Sequence, residues 1–189
     1  MVAHDPVQVP DVEVAIASLL PVLLAAGWWE MAIHLAWPDQ FLPFAPFHHE
    51  ALAWWSEIAP GVEPEPLVAA WPRATGKSTL TAACLTLAIC LRLRPFMLWL
   101  SDIEDQVADK VAGVGTLLQA NRLKLAFPQA TARWVDPATG MPLDWRRGRI
   151  RTGNGCTLDA AGLDKALRGR LVLLHRPGLM VADDYKDIT

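Results

Sequence analysis

Short apolar runs alternate with longer helical stretches between residues 67 and 126. Residues 67–71 predict a strand, and residues 77–93 predict a helix that follows a turn at Gly76. Residues 96–100 then predict a strand buried on both faces, and residues 103–126 a second long helix. This order favours parallel strands joined by right-handed crossovers. The predicted fold class is therefore α/β, with a mostly parallel sheet flanked by helices.

The regions outside this unit predict further elements. Residues 11–36 have mostly helical spacing and predict a helical N-terminal arm that is broken near Pro21. Residues 49–58 predict a short helix. Residues 149–152 and 157–160 flank an Asn-Gly turn and predict a hairpin, and residues 179–182 predict another buried strand.

Composition sets limits on the class of protein. The chain has 189 residues, 52% of them hydrophobic, and a formal net charge of −3, which is typical of one globular domain without a global basic surface. Three cysteines without a CxxC pair indicate buried thiols and a reducing compartment. The longest uncharged stretch has 16 residues, too few to cross a bilayer, and the first 11 residues lack Lys and Arg. We therefore expect an intracellular protein without a membrane span.

The segment Ala74-Thr75-Gly76-Lys77-Ser78-Thr79 lies between the predicted strand and helix. Backbone N–H groups of such a turn and the helix N-terminus bind phosphate oxygens; the lysine reaches the β and γ phosphates, and the next hydroxyl binds Mg²⁺. Gly76, Lys77 and Ser78 fit these three roles. The general pattern GxxxxGK[ST] is broken at its first position by Trp71. A chance GKST at a helix start is the alternative.

Two adjacent carboxylates, Asp183 and Asp184, follow the last predicted strand. A carboxylate at the C-terminal end of a strand can reach Mg²⁺ beside a phosphate loop. Asp183 would hold the metal, directly or through water, and Asp184 would orient or deprotonate the attacking water. Paired acids in a solvated turn are the alternative.

The segment from Pro72 to Thr79 resembles the arginine-containing, glycine-poor Walker A motif of large terminase subunits, the ATPases that package DNA in tailed bacteriophages. Further segments of the chain are similar to the same family in order and spacing, and together they span about residues 47–187. They are Phe47-His48-His49-Glu50, Asn154-Gly155 through Gly162 to Leu167-Arg168-Gly169, and Arg176-Pro177-Gly178-Leu179-Met180-Val181-Ala182-Asp183-Asp184.

The resemblance implies a P-loop NTPase of the additional-strand type, with a helical arm over residues 1–46 and an ATPase domain over 47–189. Residues 179–184 would be the Walker B strand and its carboxylates; the domain is expected to be incomplete after them and to lack the nuclease domain that follows in this family. ATP and Mg²⁺ are the implied cofactors. The implied partners are double-stranded DNA, the small terminase subunit and the portal protein, in a homo-oligomeric ring in the cytoplasm of the bacterial host.

Particular roles also follow from the resemblance. Arg73 would stabilise charge on the phosphates in cis, with Arg168 a weaker candidate, and His49 would contact adenine. Asp184 stands where many relatives have glutamate.

Other interpretations stay open at this point. The chain could be a helicase-like ATPase, a P-loop kinase, or a truncated remnant that acts only as a binding module. The paired histidines could simply cap a helix. A cationic cluster could contact nucleic-acid phosphates or form a charged hairpin edge. Its members are Arg122, Lys124, Arg133, Arg146, Arg147, Arg149 and Arg151.

Overall fold

The computed structural model describes residues 10–143, 145–163 and 175–183. Its helices are α1 (Pro10–Ala25), α2 (Trp29–Ala36), α3 (Pro46–Glu57), α4 (Lys77–Cys90), α5 (Glu104–Leu117), α6 (Asn121–Ala126) and α7 (Pro128–Thr131). Its strands are β1 (Phe96–Ser101), β2 (Trp134–Val135), β3 (Pro142–Leu143), β4 (Trp145–Arg146), β5 (Arg149–Arg151), β6 (Thr157–Gly162) and β7 (Leu179–Ala182).

Five strands form an open sheet in the order β4-β5-β6-β1-β7, and β2 pairs with β3 in a separate two-stranded ribbon. The central strand β1 runs parallel to both β6 and β7, whereas β5 is antiparallel to β6 and to β4. The predicted hairpin is confirmed, and its second strand joins the parallel part of the sheet. The fold is α/β, with a mixed sheet rather than the mostly parallel one that we expected.

Alternating side chains of the sheet contribute to two hydrophobic clusters. Met97 and Trp99 of β1 and Leu158 of β6 belong to the larger cluster, which also includes residues of α1 to α5. Phe96 and Leu98 point to the opposite face, as period-two alternation requires. All six residues of β1 are buried, as the apolar run predicted. The three cysteines are also buried, with free thiols.

The N-terminal helices are divided at a different place from the one predicted. Pro21 lies inside α1, and the chain turns instead at Gly27, whose φ of +78° is accessible to glycine at low cost. Two contacts fix these helices to the rest of the fold: Arg122 donates to both carboxylate oxygens of Glu13 at 2.8 Å, and the Trp37 indole donates to the Leu117 carbonyl at 3.1 Å. The arm is therefore packed against α5 and α6.

Other predictions differ from the structure at their boundaries or in kind. Helix α3 begins at Pro46, where proline suits the first turn. The long helix over 103–126 is interrupted between α5 and α6. Residues 67–71 form no strand, and Val68 is 85% exposed. β7 forms as predicted but lies at the end of the described sheet, so that Met180 is 60% exposed instead of buried.

Buried Arg94 connects three separate segments near the beginning of β7. Its Nε donates to the Gly178 carbonyl at 3.1 Å, its Nη1 donates to the Ala59 carbonyl at 2.7 Å, and its Nη2 donates to the Val62 carbonyl. The planar guanidinium suits this task because it offers several donors in a fixed fork. Arg94 thus ties β7 to the connection that follows α3.

Within the described residues, no helix has both the length and the apolar character that crossing a membrane requires.

Candidate functional site

The loop over residues 72–76 turns the chain into α4 through two left-handed residues. Ala74 has φ +62°, and Gly76, the residue that precedes α4, has φ +79°. Gly76 has no side chain that could cap this helix, and a Cβ added to it would meet no atom of the described residues within 4 Å. Uncapped N–H groups at the positive end of a 14-residue helix form a favourable environment for an anion.

The side chains of Lys77 and Thr75 donate hydrogen bonds to carbonyls at the beginning of this loop. The Lys77 ammonium donates to the Trp71 carbonyl at 2.6 Å, and the Thr75 hydroxyl donates to the Pro72 carbonyl at 2.8 Å. Trp71 itself is half-buried, with its ring centroid 5.1 Å from that of Phe47. The tryptophan that breaks the general glycine pattern therefore packs against α3, and Lys77 lies over the loop.

The Ser78 hydroxyl donates to Asp183 Oδ2 at 2.5 Å. Ser78 is the second residue of α4, and Asp183 follows β7, where its backbone N–H donates to the Leu100 carbonyl of β1 at 3.0 Å. The sheet thus brings together two segments that are 105 residues apart in the chain. Ser78 and Asp183, which the sequence motifs predict to share one site, are in contact in the structure.

A lysine that the sequence analysis did not select completes this cluster. The Lys110 ammonium, on α5, donates to the same Asp183 oxygen at 2.8 Å, and the two side chains are only 18% and 11% exposed. Lys110 is the only basic residue between Arg94 and Arg122. A single basic residue in a stretch between two strands is the sequence feature that could have indicated Lys110 as a candidate site residue.

The two adjacent histidines have different environments, and the one selected from the sequence lies away from the loop. His49 pairs with Glu30 at 3.0 Å and lines a cavity of about 590 Å³ between α2 and α3, together with Trp28 and Met31. His48 instead reaches the loop. Its Nδ1 accepts from the Ala45 N–H at 3.0 Å, so its Nε2 carries the proton and donates to the Thr75 carbonyl at 2.7 Å.

Most of the cationic cluster already has partners in the described chain. Arg147 binds Asp109 at 2.5 and 2.9 Å, and Arg149 binds Asp159 at 2.5 Å through two parallel hydrogen bonds. The guanidinium of Arg151 lies 4.0 Å from the ring centroid of Trp134. Arg147 lowers the pKa of the Asp109 carboxyl, mainly through its hydrogen bonds. The cluster therefore serves intramolecular pairing, and its contact with nucleic acid stays untested.

The other site residues predicted from the sequence are either exposed or outside the described residues. Arg73, Ala74 and Thr79 are exposed on the loop and the first turn of α4. Asp184 and Arg168 lie outside the described residues. In the part of the chain that the structure describes, no group of three or more His, Cys, Asp or Glu residues could hold a metal.

The donor set at Ser78 and Asp183 nevertheless has the chemistry that suits Mg²⁺. A hydroxyl and a carboxylate oxygen are hard ligands, and Mg²⁺ is usually held by one or two carboxylates while its other positions go to water and substrate phosphates. The uncapped N-terminus of α4, which would receive those phosphates, begins one residue before Ser78.

Comparison with family models, with curated proteins and with solved structures finds no match for this chain.

Proposed function

We propose that this chain binds ATP with Mg²⁺ at the loop over residues 72–79 and hydrolyses it. The observation that carries the proposal is the 2.5 Å contact between Ser78 and Asp183. It joins a hydroxyl beside an uncapped helix N-terminus to a carboxylate at the end of a parallel strand, which is the arrangement that a nucleoside triphosphate with its metal requires.

Each of the site residues that the structure describes would have a distinct part in binding ATP and Mg²⁺. The N–H groups of the first turn of α4 would donate to phosphate oxygens, and the Lys77 ammonium would leave the Trp71 carbonyl to neutralise the β and γ phosphates. Ser78 and Asp183 would hold Mg²⁺. The metal, when bound, supplies neutralisation of the charge that develops on the phosphate oxygens.

Hydrolysis needs two further groups. Arg73, exposed on the loop, would stabilise charge on the transferred phosphoryl group, and Asp184 would orient the attacking water. Both assignments extend the proposal through the resemblance to large terminase subunits. The Asp184 side chain is shorter than the glutamate that many terminase large subunits have there, so we expect slow ATP hydrolysis.

On the same resemblance, we propose that the domain is the ATPase motor of a bacteriophage terminase large subunit. It would power translocation of double-stranded viral DNA into the procapsid, as a ring of copies that engages the small subunit and the portal protein in the host cytoplasm. The ordered segments from Phe47 to Asp184 support this part of the proposal.

The test is the melting temperature of the chain with and without Mg-ATP. A ligand at 100 times its Kd stabilises the native state by about 2.7 kcal/mol, and a chain of this size gains roughly 2–4 °C per kcal/mol. At that concentration we expect a rise of about 5–10 °C, which increases with the logarithm of the Mg-ATP concentration and which Lys77→Ala abolishes. Lys124→Ala, which removes an exposed lysine on α6, is the matched control and should behave as wild type.

Two results would overturn the proposal. One is an equal rise in wild type and Lys77→Ala; the other is a cooperatively folded wild type whose melting temperature does not respond to Mg-ATP, as a remnant would behave. Transfer of the γ-phosphate to a small acceptor instead of water would show a kinase.

A further inference from the structure

We propose that Lys110 is a positioning residue that holds the Asp183 carboxylate while no metal is bound, and that Mg²⁺ must displace its ammonium in order to bind. The inference rests on the proposed nucleotide site and concerns how that site is loaded. It assigns a role to a residue that lies outside every motif in the sequence.

One oxygen of Asp183 accepts two hydrogen bonds, one of them from Lys110. Asp183 Oδ2 accepts from the Ser78 hydroxyl at 2.5 Å and from the Lys110 ammonium at 2.8 Å. Asp183 is only 11% exposed, so water contributes little to neutralising it. Hydrogen bonds to ionised groups are stronger than neutral ones, and burial strengthens them further. Lys110 is therefore the principal described cation facing this carboxylate.

The backbone of α5 at Lys110 is held in place by packing. Val107 and Val111 are fully buried in the larger cluster, so the turn that bears Lys110 is anchored in the core. Asp109, its neighbour on the outer surface, is bound by Arg147 from the β4–β5 turn. Displacement of the ammonium thus requires movement of the side chain, because the helix beneath it is packed.

An ammonium and Mg²⁺ compete for this oxygen. Mg²⁺ binds oxygen at about 2.0–2.1 Å, so an ammonium about 2.8 Å from the same oxygen would lie close to a doubly charged ion without a shielding ligand between them. Their repulsion lowers the affinity for the metal until Lys110 moves away. Removal of the positive charge should therefore strengthen metal binding.

The experiment measures binding of Mn²⁺, as a paramagnetic probe for Mg²⁺, to the full chain saturated with ADP. Electron paramagnetic resonance follows free Mn²⁺ in wild type, Lys110→Met and Lys110→Arg. We expect Lys110→Met to lower the half-saturating Mn²⁺ concentration at least about threefold, a lower bound set by the energy of an exposed ion pair. Lys110→Arg keeps the charge and should bind Mn²⁺ no more tightly than wild type. Lys124→Met removes an equal charge from α6 and should leave Mn²⁺ binding unchanged.

The inference is overturned if folded Lys110→Met binds Mn²⁺ no more tightly than wild type. If Lys110→Met fails to fold, Lys110→Arg decides: tighter Mn²⁺ binding than wild type overturns the inference, and equal or weaker binding supports it.

A metal-free titration with a fluorescent ADP analogue distinguishes a wrong role for Lys110 from a wrong nucleotide site. If Lys77→Ala binds the analogue as wild type does, the nucleotide site itself is wrong. If Lys77→Ala loses binding and Lys110→Met leaves Mn²⁺ affinity unchanged, only the role of Lys110 is wrong.

Discussion

Arg94→Met should destabilise the fold, because it keeps most of the aliphatic stem and removes every donor of the guanidinium. Arg94 is 8% exposed and donates to the carbonyls of Ala59, Val62 and Gly178. These bonds join residues that are 32 to 84 positions apart in the chain. Their loss should therefore affect the global free energy of unfolding and not only local order.

Arg94 also donates to the carbonyl of the adjacent Leu93, and the magnitude is worked from the exposure of the three acceptors that are distant in the chain. A hydrogen bond to a charged group contributes about 1.5–3 kcal/mol net when both partners are buried. Ala59 is half-buried and Val62 and Gly178 are exposed, so water can partly replace the lost donor. We therefore take about 1 kcal/mol for each bond and expect a loss of about 3 kcal/mol. For a chain of this size, the melting temperature should fall by roughly 6–12 °C.

Urea denaturation followed by tryptophan fluorescence measures this free energy. Arg94→Lys is the matched control: it keeps a buried positive charge without the planar fork, and should fall between wild type and Arg94→Met. A change below about 0.5 kcal/mol in Arg94→Met, the range of ordinary surface substitutions, would refute the reasoning. Gly178→Ala provides an independent check. Its Cβ would lie 2.8 Å from Arg94 Cδ, so the substitution should destabilise wild type more than it destabilises Arg94→Ala.

Two further outcomes are expected. His48→Ala should weaken binding of a fluorescent ADP analogue about three- to tenfold, on the scale of one hydrogen bond, because the Thr75 carbonyl loses its donor. His49→Ala should leave that binding unchanged, and equal effects of the two substitutions would contradict the assignment. Iodoacetamide at pH 8 should leave all three cysteines of the native chain unmodified by mass spectrometry, since burial raises the pKa of Cys156 to about 11 and also raises the pKa of Cys84 and of Cys90. Because the unfolded thiols ionise first, the free energy of unfolding should fall as pH rises above about 9, and a constant value between pH 8 and pH 10 would contradict this.

Elements whose burial is settled locally could be predicted from the sequence. β1 and α4 formed as expected because an uninterrupted apolar run and a helical stretch with an abrupt start leave few alternatives. The run over 67–71 has the same apolar character but no partner in the described sheet, and a strand requires one. Hydrophobic pattern reports the tendency to be buried; it does not report which neighbour is present.

The site was predictable to the same extent. Ser78 and Asp183 belong to local motifs, and the fold brings them together. Lys110 and His48 contribute through the placement of α5 and α3 against other elements, which spacing within a motif does not encode. The position of the turn between α1 and α2 depends in the same way on packing, since Pro21 is accommodated inside a helix that other contacts hold in place.

The position of β7 at the end of the described sheet has a consequence for dynamics. Within the described residues this strand hydrogen-bonds along one side only, to β1, and its exposed Met180 adds little apolar burial. Strands of this kind open locally at a lower free energy than the centre of a sheet. Asp183 therefore lies at the end of one of the sheet's more easily opened strands, and amide hydrogen exchange should be faster in β7 than in β1. A ligand that binds both Ser78 and Asp183 would slow that exchange, so binding and the local order of this strand should be thermodynamically coupled.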